Sequence, residues 1–267
     1  MKTFVINLNK DTERMSFMQK QLEFLEISFD RFSAIHGKEY GFGDEYDEAK
    51  AVIKNGKSLS LGELGCALSH RQIYEKIINE NIDYALVFED DIEIQDILPI
   101  NFKEIIKIEI EKNENKKLSQ KWEYVSFDYP KPGIFFIKHY FVSLILNYNL
   151  NIKQKSILNK IKYLAVSFIK YTFVILMSTF EGVRNFIFLN IFKKGKALNF
   201  YRPLYFAGCY LITNSGAKKL LEISNPIVYA ADRVQNRARV EKNLKFKAFC
   251  PLVVDQKREK FKSNIGI

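Results

Sequence analysis

The sequence predicts an α/β protein, a sheet of buried strands flanked by helices, that carries a basic and apolar helical insert. Three observations carry that reading. Short apolar runs without clear alternation, led by Tyr84-Ala-Leu-Val-Phe88, have the character of strands buried on both faces. Segments with apolar residues at spacings of three and four alternate with them. The net charge of +10 is confined to one stretch. Residues 131–200 hold 11 cations against a single anion, Glu181, and the rest of the chain is neutral.

Thr3-Phe-Val-Ile-Asn-Leu8 opens the chain as a buried strand. Asp11 can cap the next helix, whose core face is Met15, Met18, Leu22 and Leu25. Residues 29–34 form a second strand, and the polar, glycine-containing residues 36–58 an irregular connection. Ser60-Leu-Gly-Glu63 is a capping box that starts a helix running to about Asn79. Gly62, Gly65 and Ala67 keep its first half small, so that a neighbouring backbone or a ligand can approach closely. Glu63 and His70, seven residues apart, share one face of it, although a lone helix histidine is more often structural. The strand at 84–88 follows, then a charged surface helix over 100–117 and a strand over 122–128. Beyond the insert come a buried strand at 204–213, a helix over 216–223 capped by Asn214 or Ser215, a short segment at 229–235 holding Asp232, and a last strand at 244–249.

The strand at 84–88 runs straight into Glu89, Asp90 and Asp91. Parallel strands of open α/β sheets deliver functional groups just past their carboxyl ends. Three adjacent anions repel one another, and oxygen-only ligands suit Mg²⁺ or Mn²⁺, which complete their shells with phosphate oxygens. The triplet therefore reads as a metal-assisted site for a diphosphate substrate, or else as a solvated acidic turn. Cys66, Cys209 and Cys250 show no CxxC spacing, which argues against a disulfide framework or a zinc site and for a reducing compartment. With a strand at the first residues and no secretory signal before it, a cytoplasmic protein is expected.

The longest charge-free runs of the insert, 139–152 and 171–180, fall short of the ~20 residues of a spanning helix. The pattern suits helices lying in a membrane interface with lysines against anionic headgroups. The competing reading is a helical subdomain on the core with its lysines in water. Nucleic acid is not expected as a partner: the lysines alternate with aliphatic rather than stacking aromatic residues, and no reading motif is present.

Five blocks in order resemble glycosyltransferase family 25, which includes bacterial lipooligosaccharide glycosyltransferases and collagen-modifying enzymes. They are Val5-Ile-Asn-Leu-Asn-Lys-Asp-Thr-Glu-Arg14, Phe29-Asp-Arg-Phe-Ser-Ala-Ile-His-Gly37, Leu61-Gly-Glu-Leu-Gly-Cys-Ala-Leu-Ser-His70, Ala85-Leu-Val-Phe-Glu-Asp-Asp91 and Ala207-Gly-Cys-Tyr-Leu-Ile-Thr-Asn-Ser-Gly-Ala217. The resemblance covers residues 3–92 and 204–267 and implies a GT-A-like, Rossmann-type mixed sheet. Residues 1–130 and 201–267 would form the catalytic domain, interrupted by the insert at 131–200. It further implies an inverting, metal-dependent transfer of a hexose, commonly galactose from UDP-galactose, to a lipooligosaccharide acceptor at the cytoplasmic membrane face. Asp91 with Glu89 would hold Mn²⁺ or Mg²⁺. Asn7, Asn9, Arg14, His70, Glu89, Asp90, Lys257 and Arg258 would serve the UDP-sugar donor. Asp232 is the first candidate for the base and Glu63 the second. The surroundings of Asp232 depart from the family pattern, with Pro226 six residues upstream, and Asn264 replaces a carboxylate in the tail. The reading from a different class is a non-catalytic, membrane-docked scaffold on a degenerate transferase domain.

Overall fold

The computed structural model describes residues 1–95, 98, 100–128, 196–199, 204–250, 252–257 and 260–261. These residues belong to one unit, drawn from Met1–Tyr129 and Lys194–Ile267. The insert, the tail beyond 261 and Arg258 lie outside them, apart from a strand at Lys196–Asn199.

The unit is a mixed seven-stranded sheet flanked by helices, as the sequence predicts. Its strands are β1 (Lys2–Asn7), β2 (Asp30–Ser33), β3 (Tyr84–Glu89), β5 (Tyr124–Ser126), β6 (Lys196–Asn199), β7 (Cys209–Thr213) and β8 (Phe246–Cys250). They run in the order β2-β1-β3-β7-β5-β8-β6. A two-stranded ribbon pairs β4 (Ile92–Ile94) with β9 (Val254–Gln256). The helices are α1 (Thr12–Phe24), α2 (Gly37–Tyr40), α3 (Glu48–Asn55), α4 (Leu61–Asn79), α5 (Phe102–Glu114), α6 (Asn214–Ile223) and α7 (Ala231–Glu241).

β1 is parallel to β2 and β3, while β7 is antiparallel to both β3 and β5. The carboxyl ends of β1, β3 and β5 and the amino end of β7 therefore share one edge of the sheet. The sheet packs on α4 and α6 through Phe4, Val87, Tyr210 and Ile212 against Ile73, Ile77 and Leu220, all buried. Tyr124 stacks between Tyr210 and Phe246, with ring centroids 4.9 and 5.2 Å away.

The capping box forms as read: Ser60 Oγ accepts from Glu63 N–H at 3.2 Å and Glu63 Oε2 from Ser60 N–H at 2.8 Å. The small face of α4 meets backbone. A Cβ on Gly65 would lie 2.6 Å from the Ile35 carbonyl oxygen, so glycine is required for that contact. Four expectations need correction. Residues 36–58 are not irregular throughout, because Asp47 caps α3 by accepting from Lys50 N–H and Gly56 ends it with φ +76°. The segment 204–207 is not strand, since it is fastened to α7 instead. Thr213, not Asn214 or Ser215, caps α6. Finally, 229–235 opens a longer helix, and the β4–β9 ribbon has no counterpart in the sequence reading.

Candidate active site

The acidic triplet leaves β3 at the shared edge, and its three carboxylates divide the work. Asp90 turns inward to a fixed counter-ion, its Oδ1 2.8 Å from Arg14 Nη1 and its Oδ2 accepting from Asn7 Nδ2 at 2.6 Å. Burial pushes its carboxyl above the ordinary value, against the pull of those two partners. Buried charge needs such pairing, and here α1 and β1 supply it.

Glu89 faces the opposite way, towards α4. Its Oε1 lies 3.1 Å from His70 Nε2 and 3.7 Å from Cys66 Sγ, and its Oε2 3.5 Å from Gln256 Nε2 on β9. Burial raises its pKa, but the hydrogen bond and charge of His70, with help from Cys66 and Arg14, outweigh that and hold it below the ordinary range. His70 is 1% exposed and its Nδ1 lies 2.9 Å from the Tyr210 hydroxyl. The imidazole thus orients Glu89 from behind rather than lining the site.

Asp91 is left over. Its Oδ1 is buried with no hydrogen-bond partner, and Arg14 Nη1 stands 3.9 Å from Oδ2. Burial and the negative charge of Glu89 push its pKa up to about 7. Asn7 Oδ1 is a second buried acceptor without a partner. A carboxylate oxygen without a donor, beside two other anions, makes a donor set whose chemistry fits Mg²⁺ or Mn²⁺. Cys66, His70 and Glu89 also place donor atoms within 4.8 Å of one another, a spacing that could hold an ion. Both nitrogens of His70 are already engaged, however, and burial keeps the Cys66 thiol protonated by raising its pKa well above the ordinary value. That group works as a hydrogen-bonded cradle for Glu89.

The cradle opens into a cleft of about 180 Å³ that Glu63, Cys66, Glu89, Asp232 and Gln256 line together with residues 205–207 and Ala230–Ala231. Both candidate bases reach it, and their states differ. Glu63 spends its oxygens on the Ser60 N–H and, at 3.2 Å, on Lys57 Nζ. Burial raises its pKa, but these two partners prevail and leave it low. Asp232, in the first turn of α7, is raised by burial and then by the charges of Glu89 and Glu63, against the pull of Arg233.

Other residues expected at the donor are placed differently. Lys257 gives its backbone N–H to the Asp91 carbonyl at 2.8 Å, while its Nζ pairs with Glu93 at 2.6 Å. Asn9 is exposed on the turn after β1, and Arg258 lies outside the described residues.

Two site residues escaped the sequence reading. Gln256 reaches Glu89 only because β9 pairs with β4. Asp128, 1% exposed at the end of β5, accepts from Gly208 N–H at 2.6 Å and from the Ser126 hydroxyl at 3.2 Å. A Cβ on Gly208 would meet that carboxylate at 2.7 Å, and the Gly208 carbonyl in turn accepts from Glu89 N–H at 2.7 Å. Asp128 thereby fastens β7 to the root of the triplet. The signal in the sequence was an acid just past a strand, like the triplet itself. Burial, and then the charge of Glu89, pushes its pKa up to about 7. Between the unfolded value near ~4 and that value, the folded chain holds a proton that the unfolded chain has lost, so stability falls as pH rises through this window. Asp128→Asn is expected to flatten that fall by on the order of 1–3 kcal/mol, read by urea denaturation at a series of pH values.

A mixed sheet with an acidic triplet at the tip of a central strand and a cleft beside it is the GT-A-like arrangement. Residues 1–235 match the family model described as glycosyltransferase family 25 (LPS biosynthesis protein), and the chain belongs to that family. It is 33% identical over 98 residues to a glycosyltransferase 25 family member of Anopheles gambiae, a match covering 34% of this chain and 17% of that protein. It is 29% identical over 131 residues to procollagen galactosyltransferase 1-A of Xenopus laevis, covering 46% and 20%. To a Rattus norvegicus protein named "Probable inactive glycosyltransferase 25 family member 3" it is 29% identical over 136 residues, covering 46% and 21%. The matched parts are thus about a fifth of the length of these relatives. Among the described residues, no helix is long and apolar enough to cross a membrane.

Proposed function

We propose that the protein transfers a hexose, galactose in the first instance, from a UDP-sugar to a lipooligosaccharide acceptor with inversion at the anomeric carbon. The observation that carries this reading is the partnerless, buried Asp91 oxygen two residues beyond Glu89, which lines a cleft together with Asp232. Asp91 and Glu89 would hold Mn²⁺ or Mg²⁺. That ion supplies electrostatic stabilisation of the diphosphate as the leaving group departs. Everything else falls to the chain. Arg14, fixed by Asp90, adds positive charge beside the triplet. His70, Cys66 and Gln256 keep the Glu89 carboxylate in one orientation. Asp232 accepts the proton of the acceptor hydroxyl, its raised pKa moving it towards the basicity that this step needs. Glu63, held by Ser60 and Lys57, shapes the wall.

The insert would bring this site to its acceptor. Eleven cations against one anion in residues 131–200 support docking on an anionic membrane surface, with the protein peripheral to the inner membrane on its cytoplasmic side. The test of the transfer is a screen of UDP-sugars against sugar acceptors, with Mn²⁺ and with excess chelator. Transfer that needs the ion upholds the reading. Neither transfer nor Mn²⁺-dependent UDP binding would leave the non-catalytic scaffold in its place.

A further inference from the structure

One wall of the cleft has no part in donor chemistry as described. Tyr205 lines it with 51% of its surface exposed, between residues that are held down on both sides. Leu204 N–H donates to Asn236 Oδ1 at 2.9 Å, and the Leu204 carbonyl accepts from Asn236 Nδ2 at 2.7 Å. Gln235 is 2% exposed, and its Nε2 lies 3.0, 2.9 and 2.8 Å from the carbonyls of Leu204, Phe206 and Asp232. One buried amide therefore fastens the backbone on either side of Tyr205 to the turn that carries Asp232. The Arg233 guanidinium stands 5.9 Å over the Tyr205 ring. An exposed aromatic ring on a segment fixed this firmly is a prepared surface, because its ordering cost is met before any ligand arrives.

The chemistry of the cleft says what the surface takes. An aromatic face carries negative charge density and attracts the polarised C–H groups on one face of a pyranose. Glu89 and Asp232 line the same cleft, and a carboxylate oxygen accepts hydrogen bonds from the hydroxyls of a neutral polyol. We propose that Tyr205 is the platform on which the acceptor's terminal pyranose ring stacks, presenting a hydroxyl to Asp232. The sugar-binding part stands on the cleft alone, and the word acceptor rests on the transfer reading above.

The test uses the full chain, with methyl β-D-galactopyranoside and methyl β-D-glucopyranoside as probes, in saturation-transfer NMR with and without UDP and Mn²⁺. Saturation of the ring protons is expected with the wild type and with Tyr205→Trp, and its loss in Tyr205→Ala. In transfer assays Tyr205→Ala is expected to raise the acceptor KM about tenfold more than the donor KM, the upper end of what one aromatic face contributes. Unchanged saturation in Tyr205→Ala, no saturation in the wild type under either condition, or a donor KM that rises as much as the acceptor KM would overturn the proposal. Saturation that depends on Tyr205 in a protein that moves no sugar upholds the platform and sinks the transfer reading alone.

Discussion

Asp91→Asn is expected to lower sugar transfer by roughly 10³-fold while making the protein more stable above neutral pH. The two effects share one origin. Asp91 is buried, crowded by the charge of Glu89, and has one oxygen without a partner, so its ionised form is disfavoured in the folded chain. Its pKa of about 7 lies above the unfolded value near ~4. The cost therefore grows as pH rises from the unfolded value to about 7, is complete above that window, and vanishes only below the unfolded value, where both states hold the proton. The amide removes the cost together with the charge that would hold a divalent ion. Urea denaturation at a mildly alkaline pH, alongside UDP-sugar turnover, measures both. A variant that loses transfer and stability together would mean that Asp91 is a structural acid, and full activity would place the ion elsewhere. Such opposition between activity and stability is common where charge is concentrated for chemistry.

The second large effect is expected at Asp232. Asp232→Asn should reduce the rate of transfer by about 10²- to 10⁴-fold with Mn²⁺-dependent UDP binding retained, since only the proposed proton acceptor is removed. Glu63→Gln should behave in the opposite sense. Gln can still accept the Ser60 N–H of the capping box but loses the ion pair with Lys57, so the loss should fall on stability, about 0.5 kcal/mol, with the rate largely kept. Steady-state rates, UDP binding by calorimetry and a thermal melt on the same two variants separate the roles. A rate collapse in Glu63→Gln with Asp232→Asn active would exchange the assignments.

Much of this arrangement could be read from the chain because its information is local. The capping box at Ser60 and Glu63, the apolar run into Glu89 and the spacing of Met18 and Leu22 each act within a few residues, and each appears where expected. Helix α3 was missed although Asp47 and Gly56 mark its ends, because a short helix among polar residues and glycines resembles a loop in periodicity. The other omissions are tertiary. That Asp90 belongs to Arg14 while Asp91 has an oxygen to spare depends on which way each carboxylate faces. Asp128 matters through a bond to Gly208, 80 residues away. Gln235 reads as one polar residue of a helix until the segment holding Tyr205 folds back onto it. The three-residue pairing of Ile92–Ile94 with Val254–Gln256 leaves no periodic trace at all.

That ribbon has a consequence for how the protein comes into being. Asp91 receives its backbone partner from Lys257, 166 positions later in translation, and Glu89 a side-chain partner from Gln256, 167 positions later. While the nascent chain is still emerging, the first three strands can pair, yet the acidic tip stays unfinished. The acidic tip therefore gains these last two partners only when synthesis has passed residue 257.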